Sequence, residues 1–286
     1  MRRLIVNADD FGLTAGVNRA VLELHRERAL TSTTLMARAG AAGQAIELAR
    51  ATPSLGVGCH VVLVDGEPAL PAAEIPTLID RKTGSLRFSL TGFLMRLFTG
   101  RISIAEVEGE AAAQIELLKS RGLQLTHIDT HKHTHMFPPV LRAVLRAARA
   151  AGITAVRNPF EPAWAVRATA GATLARCAEV NVLRKLEAAC RRIIAEEGFV
   201  TTDGTVAVAG TGVLNAAAVR SLITAMPEGT WELVTHPGYS DADLAKIRSR
   251  LQASRDVERA AIGTVKQFPN IQLISFADLQ RPASPM

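Results

Sequence analysis

The chain alternates strand-like and helix-like segments along its length, and that alternation predicts a parallel α/β fold, doubly wound or closed into a barrel. Two further observations support this class. A length of 286 residues is the size at which α/β barrels run as one unit. Asp and His residues recur just where the strand candidates end, and parallel α/β folds keep their active sites at the carboxyl ends of strands. The expected organisation is a single domain, 1–286, with an insertion at about 65–103.

Taken in order, residues 4–8 form a short β-type run, and 17–28 have helical apolar spacing. Residues 31–36 read as a second strand, 40–51 as a helix and 56–64 as a third strand. A clear amphipathic helix follows at 104–121. Residues 125–131 read as a strand, because the β-branched Thr126, Ile128 and Thr130 favour extended backbone. Pro138 suits the first turn of a helix that runs to about 151. Further strands are expected at 155–158, 206–209, 231–235 and 271–275, giving about eight in all. Helices are expected between them at 180–196, 214–224 and 241–262. The segment 65–103 breaks the rhythm. It carries Pro68, Pro71 and Pro76, then Leu90, Phe93, Leu94, Leu97 and Phe98 at helical spacing. It reads as a lid helix packed on the barrel, or as an apolar flap against a lipid-like substrate. The tail, 281–286, is expected to be loose.

An apolar content of 48% with 21% charged residues can bury a core and excludes a disordered chain. Three scattered cysteines, Cys59, Cys177 and Cys190, argue against a disulfide scaffold and suit a reducing cytoplasm. The apolar run after Met1-Arg2-Arg3 is too short for a signal peptide, and no apolar stretch is long enough to span a bilayer. The net charge is +6. Much of the arginine excess, as at Arg142, Arg146, Arg149, Arg191 and Arg192, falls in helix-like stretches. It reads as solvated helix faces, with a basic surface toward anionic lipid as the alternative. No aromatic-interleaved basic motif or zinc-finger spacing points to nucleic acid.

Four of the seven histidines, His127, His131, His133 and His135, crowd into one short window together with Asp129. Each ring brings polar nitrogens that must be satisfied, so such crowding points to a metal or acid–base site. On a strand all five side chains would share one face. On a helix His127/His131 and His131/His135 would pair instead. Asp9 and Asp10 point apart in extended backbone, but a turn at the strand end can bring both to one cavity. One carboxylate can then bind a cation while the other stays free to take a proton. Asp10, His60 and His131 make a one-carboxylate, two-histidine set suited to zinc, cobalt, manganese or magnesium. His133 or His135 could replace His131 as ligand or contact substrate, and spacing leaves the choice open. His236, at a strand end before Pro237-Gly238, is a candidate general acid. Cys59 should point away from His60 and pack. There is no Gly-x-Ser-x-Gly elbow or phosphate-binding loop, and Gly210-Thr211-Gly212 reads as a turn.

At these residues the chain resembles the YdjC-like (ChbG-type) carbohydrate deacetylases. The matching pieces are Asn7-Ala8-Asp9-Asp10-Phe11-Gly12, Thr31-Ser32-Thr33-Thr34, Gly58-Cys59-His60, the run from His127 to Pro138, and His236-Pro237-Gly238-Tyr239. They span positions 7 to 239 in the family's order. The resemblance implies an irregular TIM-like (β/α) barrel of the glycoside hydrolase/deacetylase type. It also implies removal of acetyl groups from N-acetylated amino sugars with one divalent metal ion (Mg, Zn, Co or Mn). On this reading Asp10, His60 and His131 hold the metal, Asp9 is the catalytic base and His236 the acid. His133, His135 and Arg157 are carried as substrate contacts. Cys59 departs from an aliphatic residue expected in Gly-x-His.

Val156-Arg157-Asn158-Pro159-Phe160-Glu161-Pro162-Ala163-Trp164 is most similar to the family's hopanoid-biosynthesis branch. That similarity implies an N-acetylglucosaminyl hopanoid as substrate and a cytoplasmic location with peripheral contact at the inner membrane face. A homodimer is an open expectation, since such enzymes are commonly dimeric. Three alternatives stand beside this reading: a chito-oligosaccharide deacetylase, a metal phosphohydrolase, which usually needs two metals and more carboxylates, and a non-catalytic metal or sugar binder. Asp9 beside Asp10 argues against the last, because pure binding has no need of a free base.

Overall fold

The computed structural model describes residues 1–280, so the tail 281–286 lies outside the described residues. Seven strands are formed: β1 (Arg2–Phe11), β2 (Ser32–Leu35), β3 (Gly56–Val61), β4 (Ile128–Thr130), β5 (Gly204–Val206), β6 (Gly229–Thr235) and β7 (Gln272–Leu273). They pair in parallel in the order β4-β3-β2-β1-β6-β5. The segment 154–160 closes the gap between the two edges. Ile128 donates its N–H to Ala155 O, and Arg157 donates to Ile128 O. On its other side Val156 donates to Val200 O and Thr205 to Phe160 O. Six strands and this segment therefore make a closed parallel ring, the irregular barrel that the sequence implies. β7 sits at the foot of β1, where Ile274 donates to Leu4 O. β2 takes the same edge higher up, with Thr31 N–H on Val6 O.

Side-chain alternation along β1 separates two interiors. Leu4, Val6 and Ala8 join the large apolar layer between ring and helices. Ile5 points inward and packs with Ala155, Ile274 and Phe276 at the foot of the ring. His127 stacks on Phe276 with ring centroids 3.8 Å apart. Its ring lies so close to Gly58 that a Cβ there would stand 2.6 Å from Cε1, so only glycine fits. Above this apolar plug the inward positions are polar, beginning with Asn7 and Asp9.

The insertion is anchored from the helix Ile104–Ser120, whose start is capped by Ser103. Buried Glu110 accepts from the N–H groups of Ala69 and Leu70 at 2.7 and 3.0 Å. Glu106 takes the Thr77 N–H at 2.8 Å. Gln114 clamps both backbone groups of Val62. The helix Leu90–Phe98 then lays Phe93 and Leu97 into the core. Among the described residues no helix is long and apolar enough to cross a membrane.

Several expected boundaries moved. The 180–196 helix is two, Leu174–Leu183 and Glu187–Glu196, and the 241–262 helix is Ala242–Ala245 and Arg255–Ile262. The strand expected at 206–209 is Gly204–Val206, because Ala207 turns away with a φ of 73°. The strand expected at 125–131 shortens to β4, and a tight 3₁₀ turn, His131–Met136, begins at once. Lys132 and His133 adopt left-handed φ values of 55° and 52°. Extended backbone ends there, so the five His and Asp side chains do not share one face.

Candidate active site

β1 brings two adjacent carboxylates to one place by breaking its own regularity. Its register against β2 slips between Ala8 and Phe11, and Asp10 takes a φ of 66°. That conformation is uncommon for a non-glycine residue. It lets Asp10 reach the same end of the ring as Asp9, as expected of a strand-end turn.

Asp10 meets histidines from two other strand ends. Its Oδ1 is 3.6 Å from His60 Nε2 and 3.4 Å from His131 Nδ1. The two histidine nitrogens are 3.3 Å apart. A tetrahedral cation with bonds of about 2.1 Å has donors about 3.4 Å apart, so this triangle fits one divalent metal. Asp10 Oδ1 is buried without a hydrogen-bond partner among the described residues, which suits a ligand to a cation. His60 Nδ1 is held by Asp129 Oδ1 at 2.7 Å, which turns Nε2 toward the triangle. Carboxylates behind metal-bound histidines commonly play this part. Burial opposes charge on His60, but Asp129, Asp9 and Asp10 outweigh it and push its pKa up to about 9. The pocket thus favours a positive charge, as a divalent cation would supply. A second group of potential ligands, Asp9, His60 and Asp129, has its oxygens already engaged by Arg157.

Asp9 is held quite differently. Arg157 grips it with two bonds, NH2 to Oδ1 at 2.6 Å and NH1 to Oδ2 at 2.9 Å. Asn7 Nδ2 adds a bond of 2.9 Å, and Thr34 Oγ1 one of 3.3 Å. Burial alone would raise the Asp9 pKa. The Arg157 guanidinium, with His60 and His236, overcomes this and holds the carboxyl well below its usual range. Arg157 also bonds Glu232 on β6 at 2.8 Å and pairs with Asp129. It is fully buried. The sequence places Arg157 among substrate contacts; in the structure its guanidinium is engaged by three protein carboxylates.

His236 follows β6 and faces the pair from the other side. Its Nε2 lies 3.9 Å from Asp9 Oδ2, and its Nδ1 3.7 Å from Glu258 Oε2. Glu258 also fixes the His236 backbone N–H at 2.7 Å and the Thr235 hydroxyl at 3.2 Å. Burial works against a charged His236, but Glu258, Asp9 and Asp10 together raise its pKa. Arg255, one turn before Glu258 on the helix Arg255–Ile262, reaches Asp10 Oδ2 at 2.5 Å. One outer helix therefore supports both Asp10 and His236. Sequence reasoning missed Arg255, Glu258 and Glu232; the only trace of the first two is their i, i+3 spacing.

The remaining sequence candidates separate. His135 is fully buried and exchanges two hydrogen bonds with Thr130, so it braces the turn. His133 is half-buried with Nδ1 unpartnered, its ring 6.3 Å from that of His135. Burial lowers both pKa values, that of His135 to about 4. Cys59 packs in the outer apolar layer, and burial pushes its thiol well up.

Fold and site together define a class: a parallel βα barrel whose acid–base residues gather at the carboxyl ends of its strands. Within that class the chain belongs to the YdjC-like protein family, which matches residues 3–267. It is 31% identical to a carbohydrate deacetylase of Brevibacillus brevis over 97% of this chain and 99% of that one. It is 28% identical to a carbohydrate deacetylase of Thermoanaerobacter pseudethanolicus over 91% and 90%. A chitooligosaccharide deacetylase of Salmonella schwarzengrund is 38% identical over 53% and 58%. Among solved structures, an Enterococcus faecalis protein provisionally named for cellobiose-phosphate cleavage superposes with a TM-score of 0.76, at 25% identity and 97% and 98% coverage. The lactam utilization protein of Thermus thermophilus shares the fold at a TM-score of 0.53, with 15% identity and coverage of 95% and 98%.

Proposed function

We propose that this chain is a divalent-metal-dependent N-deacetylase of an amino sugar. The observation that carries the reading is the pairing of two neighbours with opposite fates. Asp9 is held ionised by Arg157, while Asp10 completes a metal-spaced set with His60 and His131. The names of the relatives, carbohydrate and chitooligosaccharide deacetylase, support the substrate class.

Asp10, His60 and His131 would hold the cation. When bound, it supplies Lewis-acid polarisation of the acetamide carbonyl and lowers the pKa of an attacking water. Asp9 accepts the proton of that water as oxygen attacks the carbonyl carbon. His236, whose pKa is raised by Glu258, Asp9 and Asp10 against burial, gives its proton to the departing sugar nitrogen as the C–N bond breaks. The products are acetate and a free amino sugar. Arg157 stays bound to Asp9 throughout and fixes its direction.

At the finer level the substrate is an N-acetylglucosaminyl hopanoid, taken at the cytoplasmic face of the membrane. The stretch Val156–Trp164 and the apolar insertion support this. A chito-oligosaccharide is the second reading, favoured by the Salmonella relative's name. The test is acetate release from N-acetylglucosaminyl bacteriohopanetetrol and from diacetylchitobiose, after chelator treatment and refilling with single divalent metals. Turnover of the hopanoid alone supports the lipid-linked substrate. Turnover of the disaccharide alone removes it. Silence on both with every metal overturns the deacetylase reading.

A further inference from the structure

The insertion presents a surface that the proposed hydrolysis does not use. The helix Leu90–Phe98 buries Phe93 and Leu97 and turns Thr91, Met95 and Phe98 outward. Met95 is 65% and Phe98 68% exposed. Their spacing places them on one helix face. The same stretch, 81–101, contains Arg81, Lys82, Arg87, Arg96 and Arg101, and neither Asp nor Glu. The preceding Asp80 turns its carboxylate onto its own loop, accepting the Lys82 N–H at 2.9 Å.

Several surface arginines elsewhere are paired. Arg142 pairs with Glu196, Arg146 with Glu108, Arg149 with Glu197 and Arg191 with Glu187. Each of these four charges is met by a carboxylate of the protein. Arg81, Lys82 and Arg101 are exposed and form no salt bridge among the described residues. Unbalanced cations beside an outward apolar face match an anionic lipid surface, which offers phosphates above hydrocarbon. A second copy of this chain fits poorly, since a two-fold contact would set the same cations against one another.

We propose that segment 81–101 docks this protein on an anionic lipid bilayer, with Met95 and Phe98 entering the headgroup layer and the basic side chains meeting lipid phosphates. The surface adjoins the site. Phe98 packs edge-on against Phe137, 5.8 Å between centroids, and Phe137 directly follows the His131–Met136 turn. Phe88 lies between Lys132, with Nζ 5.1 Å from its ring, and Arg248, at 4.1 Å. A docked bilayer would therefore lie beside the site entrance. Only the further step, presentation of a lipid-linked acetamido sugar, rests on the deacetylase reading.

The experiment is co-sedimentation of the full chain with phosphatidylcholine vesicles and with vesicles carrying about one-third phosphatidylglycerol. Anionic vesicles should bind about tenfold more tightly or better, with affinity falling as salt rises. The pair Met95→Ser and Phe98→Ser should lose about tenfold in affinity. The triple change Arg81→Glu, Lys82→Glu and Arg101→Glu should abolish the anionic preference. Thermal unfolding unchanged from the parent would show that both variants fold. Equal binding to both vesicles, no binding to either, or parent-like binding by the variants would overturn the proposal. So would a dimer, seen by sedimentation velocity, that both variants dissolve. Vesicle binding needs no turnover, so its failure is distinct from failure of the deacetylase reading.

Discussion

The inner wall around Asp9 and the rim around Asp10 begin one residue apart in the chain and are built on opposite terms. At the wall every charge is answered inside the protein: Arg157 is ringed by Asp9, Asp129 and Glu232, and all are buried. At the rim three donors face one another across 3.3–3.6 Å, and one buried oxygen has no hydrogen-bond partner among the described residues. Saturated charge fixes Asp9 as an ionised, oriented carboxylate, and unanswered donors mark the place where a ligand belongs. The comparison also explains how neighbouring aspartates avoid doing the same job. A guanidinium occupies both oxygens of one, and a single arginine bond leaves the other an oxygen free.

Breaking the comparison at Asp9 should cost the most. Asp9→Asn should lower kcat by about 10²–10⁴-fold, the range of a lost general base, with the bound metal retained. Acetate release beside metal analysis checks both parts. Arg157→Met tests the wall as a whole. It leaves three carboxylates buried without their cation and should cost about 3–5 kcal/mol in chemical denaturation. A neutral result would mean that the carboxylates protonate at no cost.

Glu258→Gln sharpens the account of His236. Burial disfavours the imidazolium, and Glu258 with Asp9 and Asp10 more than offsets this, so the folded pKa is raised. An acid must be protonated, so activity is lost as pH rises through that pKa. Without the Glu258 charge the pKa falls, and the alkaline limb of kcat/KM should move to lower pH. The loss at neutral pH should be about tenfold, carried by kcat, with KM little changed. A purely structural Glu258 would leave the limb in place. Cys59→Ala should have the smallest effect, about 1 kcal/mol of stability with metal binding intact. Loss of metal in that variant would make Cys59 a ligand.

Much of the site was legible because parallel strands end on one face. Asp10, His60 and the histidine run lie at the ends of three predicted strands, so chain position brings them to one end of the ring, while spacing leaves His131, His133 and His135 open as the third member. The histidine run reads as strand over 125–131, with strand or helix both open for the full cluster, and the left-handed turn at Lys132 and His133 is neither. Its β-branched residues favour extension, and nothing in the residue types Lys132 and His133 announces a left-handed turn without glycine. Arg157 was read as a substrate contact because sequence carries no burial, and a fully buried arginine is exceptional. Arg255 and Glu258 come from an outer helix. Strand-end logic has no way to point to a helix that folds back over the ring.

The most direct test of the central claim is a calorimetric titration with one divalent metal of the parent chain, Asp9→Asn and His131→Ala. The parent and Asp9→Asn should each bind one ion per chain with similar affinity, and His131→Ala should bind at least about tenfold more weakly. Equal binding by His131→Ala, or loss of binding in Asp9→Asn, would contradict the division of labour between the two aspartates.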